Sequence, residues 1–264
     1  LTTGINNIGI GTSSADALTT GICNVAIGTN ALGASTTGCF NIALGDTALG
    51  GADTTGINNT AIGQTAMDAC TTGCRNVAIG PAALATSTTG KCNVAIGSGA
   101  LGGADTTGVD NIALGTAAMD ALTSGASNIG IGINALGAAT IGLCNIAIGN
   151  LAMANVTTGQ ADRNVAIGDC ALLGCAGTSG NLNVAIGYRT VGGTGTITTG
   201  ASNIGIGPDA LHTLTTGDNN IAIGNSTGTS VTTTDRTVNI GFGANQTTAQ
   251  VACIVAVCLM SAQF

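Results

Sequence analysis

Residues 19–32 read Thr-Thr-Gly-Ile-Cys-Asn-Val-Ala-Ile-Gly-Thr-Asn-Ala-Leu, and close variants of this stretch recur along nearly the whole chain. Their shared pattern is Thr-Thr-Gly-x-x-Asn-x-Ala-Ile-Gly-x-x-Ala-Leu. Most copies lie about 17–18 residues apart, and the spacing grows to about 19–20 residues between Asn145 and Asn203. Repeats built from helix pairs need more than about thirty residues. The short period therefore predicts β-coils that stack on one another, each coil forming one rung.

One asparagine stands at the same place in every copy of the repeat. Stacked amides can donate to one neighbour and accept from the next, so this column predicts an internal polar ladder. The alternative is that the asparagines form an exposed binding comb. The ladder residues are Asn7, Asn24, Asn41, Asn59, Asn76, Asn93, Asn111, Asn128, Asn145, Asn164, Asn183, Asn203, Asn220 and Asn239.

The strand that follows each asparagine alternates between large and small residues. In the second copy, Val25 and Ile27 share one face, while Asn24, Ala26 and Gly28 share the other. We expect the branched side chains to fill the coil interior and the small-residue face to meet a neighbouring chain. The Leu of each Ala-Leu pair, such as Leu32, is expected to be a second inward anchor.

These patterns predict an all-β chain, a parallel β-solenoid or β-roll of about 14 rungs, each of roughly 17–20 residues. The solenoid is expected to occupy residues 1–249. The apolar segment 250–264 breaks the repeat, and we expect it to cap the stack or to dock into another subunit. At about 4.8 Å per rung, the stack would be a rod roughly 65–70 Å long.

Composition narrows the function classes. Charged residues make up only 6% of the chain and hydrophobic residues 44%, whereas globular domains carry about 25% charged residues. Such a chain must hide much of its surface within the stack, between subunits, or both. The five basic residues (Arg75, Lys91, Arg163, Arg189 and Arg236) are scattered singly, which argues against nucleic-acid binding.

The sequence offers little for catalysis or metal binding. His212 is its single histidine, and no Cys-x-x-Cys pair occurs. Asp53, Asp68, Asp105 and Asp120 fit turns better than an acid–base pair. We therefore expect no enzyme, no cofactor and no metal site. The apolar run 251–260 is too short for a membrane helix, which needs about 20 residues.

The ten cysteines are consistent with two structural roles. An even, high count favours an oxidising, extracellular setting with disulfides between rungs or subunits. Alternatively, several are small buried hydrophobic residues. The candidate disulfide cysteines are Cys23, Cys39, Cys74, Cys92, Cys170, Cys175, Cys253 and Cys258.

The repeat resembles the Thr-Thr-Gly-x-x-Asn-x-Ala-Ile-Gly repeats of bacterial and phage surface and fibre proteins. It is also similar to the Asn-x-Ala-Ile-Gly coils in the heads of trimeric autotransporter adhesins, although its rung is longer. The resemblance covers roughly residues 1–245. It implies a homotrimer of β-rolls around a common axis, at a cell or virion surface.

Two function classes follow, and a third is more distant. The first is a structural protein that self-associates, as a homotrimer and then end to end or laterally, into a rigid extracellular fibre. The second is an adhesin or tail-fibre module that binds a cell-surface or glycan receptor through loops around 155–200, where Arg163, Tyr188 and Arg189 lie. The third is ice binding through columns of threonine.

Overall fold

The computed structural model describes residues 3–156, 161–174, 180–192 and 199–245, and within these ranges every regular element is a β-strand. Each strand is three residues long and begins directly after a ladder position of the repeat. The strands are β1 (Ile8–Ile10), β2 (Val25–Ile27), β3 (Ile42–Leu44), β4 (Thr60–Ile62), β5 (Val77–Ile79), β6 (Val94–Ile96), β7 (Ile112–Leu114), β8 (Ile129–Ile131), β9 (Ile146–Ile148), β10 (Val165–Ile167), β11 (Val184–Ile186), β12 (Ile204–Ile206), β13 (Ile221–Ile223) and β14 (Val238–Ile240).

The strands form one parallel sheet in chain order, β1 to β14. Each strand pairs with the next without a shift of register, so that Val25 faces Ile42 and Ala26 faces Ala43. Like residues of successive rungs therefore form columns along the axis. This confirms the predicted all-β solenoid and the stacking of one repeat on the next. Segment 250–264 lies outside the described residues.

The prediction that the branched residues of each strand face the interior was wrong, and the structure shows the reverse orientation. The central residue of each strand points inward: Ala26 and Ala95 are fully buried. The flanking Ile27 and Ile96 point outward, and each is 39% exposed. The small-residue face therefore lines the interior and offers no surface to a neighbouring chain.

The narrow coil interior explains this orientation. The Leu or Met of each Ala-Leu pair is buried, as predicted, and occupies most of the space; Leu32 and Met67 are at most 1% exposed. A Cβ atom added at Gly205, the centre of β12, would lie 2.6 Å from Val191 Cγ2. Because interiors pack densely, the central position, which is Ala or Gly in β1 to β13, has no room for a branched side chain beside the Leu or Met, and the branched residues face outward.

The corner after each strand requires glycine. Gly97, which follows β6, has φ +135°, a conformation that L-residues rarely adopt. A Cβ atom at this position would lie 2.5 Å from the carbonyl oxygen of Gly115 in the next rung. Glycine therefore lets the backbones of successive rungs approach closely at this corner.

Candidate functional site

The most extensive surface feature is an aliphatic stripe, which we define as the first and third residues of strands β1 to β14. Thr60 is the exception among these positions; all others are Val, Ile or Leu, and none is charged. Their side chains are half-buried or exposed, as in Ile42 (39%) and Ile223 (38%). Two adjoining columns of aliphatic side chains thus run the full length of the described sheet.

The stripe is long for an apolar surface on a single chain. Fourteen strands spaced by about 4.8 Å extend it over roughly 60 Å, and its two columns are about 7 Å apart. With the width of the side chains, its outline covers on the order of 600 Å², near the upper end for apolar patches on monomers. Patches of this size mark sites of protein–protein or membrane contact.

The inward asparagines link the rungs that carry the stripe. The Oδ1 atom of Asn128 accepts the backbone N–H of Asn145 at 3.0 Å, and its Nδ2 donates to the carbonyl of Gly142 at 2.7 Å. Asn128 and Asn145 are each 1% exposed. The side-chain amides thus lie inside the coil, not in an exposed comb. They link each rung mainly to backbone groups of the next, and amide-to-amide contacts such as Asn145 Nδ2 to Asn128 Oδ1 (3.1 Å) are additional.

The assignment of Asn239 to the ladder was wrong. Asn239 lies at the centre of β14 and pairs with Ala222, so it continues the alanine column. Thr237, 17 residues after Asn220, takes the ladder position, and its N–H donates to Asn220 Oδ1 at 2.9 Å. The corner glycine that follows this ladder position by four residues is Gly241. The wider gap from Asn220 to Asn239 than from Asn203 to Asn220 was the available signal, but longer rungs elsewhere obscured it.

The threonines of the turn have two different environments. The hydroxyl of the first, such as Thr71, donates to the carbonyl of Thr88 in the next rung at 3.0 Å. The second, such as Thr72 or Thr89, is exposed. The turn therefore adds one hydrogen bond between these rungs and leaves a row of exposed threonines at the surface.

The cysteines within the described ranges are free thiols. They are Cys23, Cys39, Cys70, Cys74, Cys92, Cys144 and Cys170. The other three, Cys175, Cys253 and Cys258, lie outside the described residues.

Bridges between neighbouring rungs, such as Cys23 with Cys39 or Cys74 with Cys92, are not formed within the chain. Cys74 is aligned with Lys91 of the next rung, which places it one column away from Cys92. Cys39 stands two residues before its ladder asparagine and Cys23 one residue before its own, so this pair is offset in the same way. Burial raises the pKa of the Cys70 thiol to about 11, which keeps it protonated and unreactive.

The acidic residues chiefly organise turns. Asp53 accepts the N–H of Thr36 at 2.8 Å, and Asp105 repeats this contact with Thr88 at 2.9 Å. Asp68 lies against Gly51, and burial raises the pKa of its carboxyl group. Across the described part of the chain, no three His, Cys, Asp or Glu residues gather into a group that could hold a metal ion.

The region proposed for ligand loops is described only in part, without 157–160, 175–179 and 193–198. Within it, Tyr188 is 49% exposed, and the Arg189 guanidinium carbon lies 5.8 Å from its ring centre. Arg189 also lies 3.7 Å from the carboxylate of Asp209. His212, whose Nδ1 is 3.1 Å from the Asp209 carbonyl, is half-buried in the same region.

Two comparisons with known proteins gave no match: neither a protein-family model nor a curated protein matches this chain. The part of the chain that the structure describes contains no helix of the length and apolar character needed to span a membrane.

Proposed function

We propose that this protein is a structural protein whose rods associate through the aliphatic stripe into a rigid extracellular fibre. The observation that carries the proposal is the stripe itself, with two columns of Val, Ile and Leu side chains along the whole described sheet. Fully burying one such side chain contributes about 1.5–3 kcal/mol. Even partial burial, repeated along fourteen rungs, would favour association strongly.

The regularity of the stripe supports a second copy of the same chain as the partner. Apart from Thr60, its residues are Val, Ile or Leu at a spacing that repeats from rung to rung, so no rung of the stripe is set apart to select a distinct ligand. A narrow stripe along one side of a rod suits several rods that meet around a common axis. The resemblance to trimeric β-roll heads favours three rods, and we propose the homotrimer as the assembled unit.

The assembly is tested by measuring its mass in solution. The chain has a mass of 25.1 kDa, so sedimentation equilibrium is expected to give about three times this value. Negative-stain electron microscopy is expected to show straight rods. A monomer at all accessible concentrations would overturn the proposal.

The role of the stripe is tested by placing charge on it. Ile96→Asp combined with Ile112→Asp puts two carboxylates on neighbouring rungs of the stripe, where both native side chains are exposed (39% and 37%). Because burying an unpaired carboxylate is costly, we expect the double variant to dissociate into folded monomers. The matched control Thr72→Asp with Thr89→Asp changes exposed threonines on two neighbouring rungs, one of them the rung of Ile96, and is expected to keep the wild-type mass.

A surface-binding module is the second candidate, and the Tyr188–Arg189 pair favours it. Exposed aromatic and arginine side chains are the usual anchors of binding sites. In this reading the rod is a stalk that presents the pair to a cell-surface or glycan receptor. A glycan array probed with the wild type and with Tyr188→Ala/Arg189→Ala tests it, with loss of a wild-type signal as the expected result. Absence of any wild-type signal would leave the fibre as the favoured function.

A further inference from the structure

The amide ladder has a direction. In the twelfth rung, Asn203 Oδ1 accepts the N–H of Asn220 at 2.9 Å, and Asn203 Nδ2 donates to the carbonyl of Gly217 at 2.9 Å. Both Asn220 and Gly217 belong to the following rung. Each ladder asparagine thus uses its side chain chiefly to hold the rung on its C-terminal side, and its hydrogen bonds require that a further rung be present.

The fourteenth rung breaks this rule at its ladder position. Thr237 stands in the column, is fully buried, and donates both its N–H (2.9 Å) and its hydroxyl (2.7 Å) to Asn220 Oδ1. Its side chain is therefore satisfied by the preceding rung. An asparagine at this position would need a fifteenth rung to pair its amide, and a buried unpaired amide is costly.

The core of the fourteenth rung changes as well. Asn239 replaces the alanine at the strand centre, is 2% exposed, and donates from Nδ2 to Thr237 Oγ1 at 3.3 Å. In β1 to β13 this position holds only Ala or Gly, and at Gly205 even an added Cβ atom would lie 2.6 Å from Val191 Cγ2. A polar, larger side chain thus closes the alanine column at the same rung at which the ladder ends.

We infer that Thr237 and Asn239 form a polar stop, which prevents the rung of Asn7 in a second copy of the chain from stacking head to tail onto rung fourteen. The backbone N–H of Asn7 in such a copy would need an amide oxygen to accept it. Within the chain, Asn7 Oδ1 accepts the backbone N–H of Asn24 in this way at 2.9 Å. Thr237 provides no amide oxygen. The inference rests on the proposed function, and it leaves the side of the rod, and not head-to-tail stacking at rung fourteen, for self-association.

The stop is tested by restoring the repeat at rung fourteen in the full chain. Thr237→Asn places an amide at the last ladder position that the structure describes, where the inferred stop leaves it no further rung to pair with, so the midpoint of thermal unfolding is expected to fall by about 3–10 °C at unchanged rod length. Thr237→Ser, which keeps the hydroxyl, is the matched control and is expected to unfold near the wild-type temperature. A Thr237→Asn midpoint at or above the wild-type value, with unchanged rod length, would overturn the inference, since a further rung would then already accept the amide.

Rod length gives a second readout that does not depend on the stability of one variant. The double variant Thr237→Asn/Asn239→Ala restores both columns, and electron microscopy at increasing concentration is expected to show rods joined end to end at twice the wild-type length. Double-variant rods that keep the wild-type length, or wild-type rods that already join through this end, would contradict the stop. Neither result bears on the proposed lateral assembly, which is measured by mass and by the stripe variants.

Discussion

At the residue scale, one asparagine side chain joins two backbone groups that would otherwise be buried without partners. Asn145 illustrates this: its Oδ1 accepts the N–H of Asn164 at 3.0 Å, and its Nδ2 donates to the carbonyl of Ala161 at 2.6 Å. Buried backbone groups are almost always paired. Because the column repeats this contact at each interior rung, it supplies hydrogen bonds where the chain turns into the strand.

Asn145→Ala should therefore destabilise the rod more than removal of an exposed amide in the same rung. The change leaves the Asn164 N–H and the Ala161 carbonyl without these partners, and we expect a loss of about 2–5 kcal/mol in the free energy of unfolding. Asn150→Ala removes an exposed side chain bonded to Asp169 at 3.2 Å and should cost at most about 0.5 kcal/mol. Equal midpoints of chemical denaturation for the two variants would contradict this role of the column.

At the scale of a single rung, the coil closes through corners in the left-handed region of backbone conformation. Ala82 and Ala117 adopt φ values of +56° and +52° at the same corner of their rungs, and Gly99 adopts +65° there. Two residues earlier, the corner directly after each strand uses glycine with φ near +135°, as at Gly97. The corner at Gly99 accepts a side chain because it faces open space. The corner at Gly97 does not, because the backbone of the next rung lies against it.

Gly97→Ala and Gly99→Ala separate these two requirements within one rung. A Cβ atom at Gly97 would lie 2.5 Å from the Gly115 carbonyl oxygen, so strain and overpacking should cost roughly 2–5 kcal/mol. A Cβ atom at Gly99 has no heavy atom within 4 Å, and alanine already occupies this corner in other rungs, so the cost should be about 1 kcal/mol or less. The check is the denaturation midpoint of each variant, and a larger loss for Gly99→Ala would refute the account.

At the scale of the whole molecule, the described strands contact only their neighbours in the stack. Stability should therefore accumulate along the axis, rung by rung. Charge contributes little: in the described ranges the single ion pair is Arg189 with Asp209 at 3.7 Å. The rod and its proposed assembly depend on backbone hydrogen bonds, the amide column and apolar contact.

The assembly should accordingly resist salt. Raising the ionic strength from about 0.1 M to 1 M shortens the screening length from roughly 10 Å to 3 Å, which weakens exposed ion pairs and leaves apolar contacts intact. We expect the sedimentation mass to stay constant over this range, and sulfate to strengthen association. Dissociation into monomers at 1 M NaCl would show that charge, and not the aliphatic stripe, holds the rods together.

Much of this architecture could be predicted from the repeat. The short period, one asparagine in each copy and a glycine four residues later predict stacked parallel coils, because only a stack in register brings like residues into columns. The burial of Leu32 and its counterparts also followed from their regular spacing. The main candidate surface did not follow, since Val25 and Ile27 were assigned to the interior.

The repeat, and with it the columns, can be recognised in the amino-acid sequence, because both follow from the order of residues along the chain. Which strand face is inside became clear only from the folded coil. Alternation with period two defines two faces but does not choose between them, and that choice depends on the width of the coil once Leu32 and Met67 have filled it. The structure likewise placed Thr237 in the ladder and Asn239 in the core, because the register of the last rung is set by its pairing with β13.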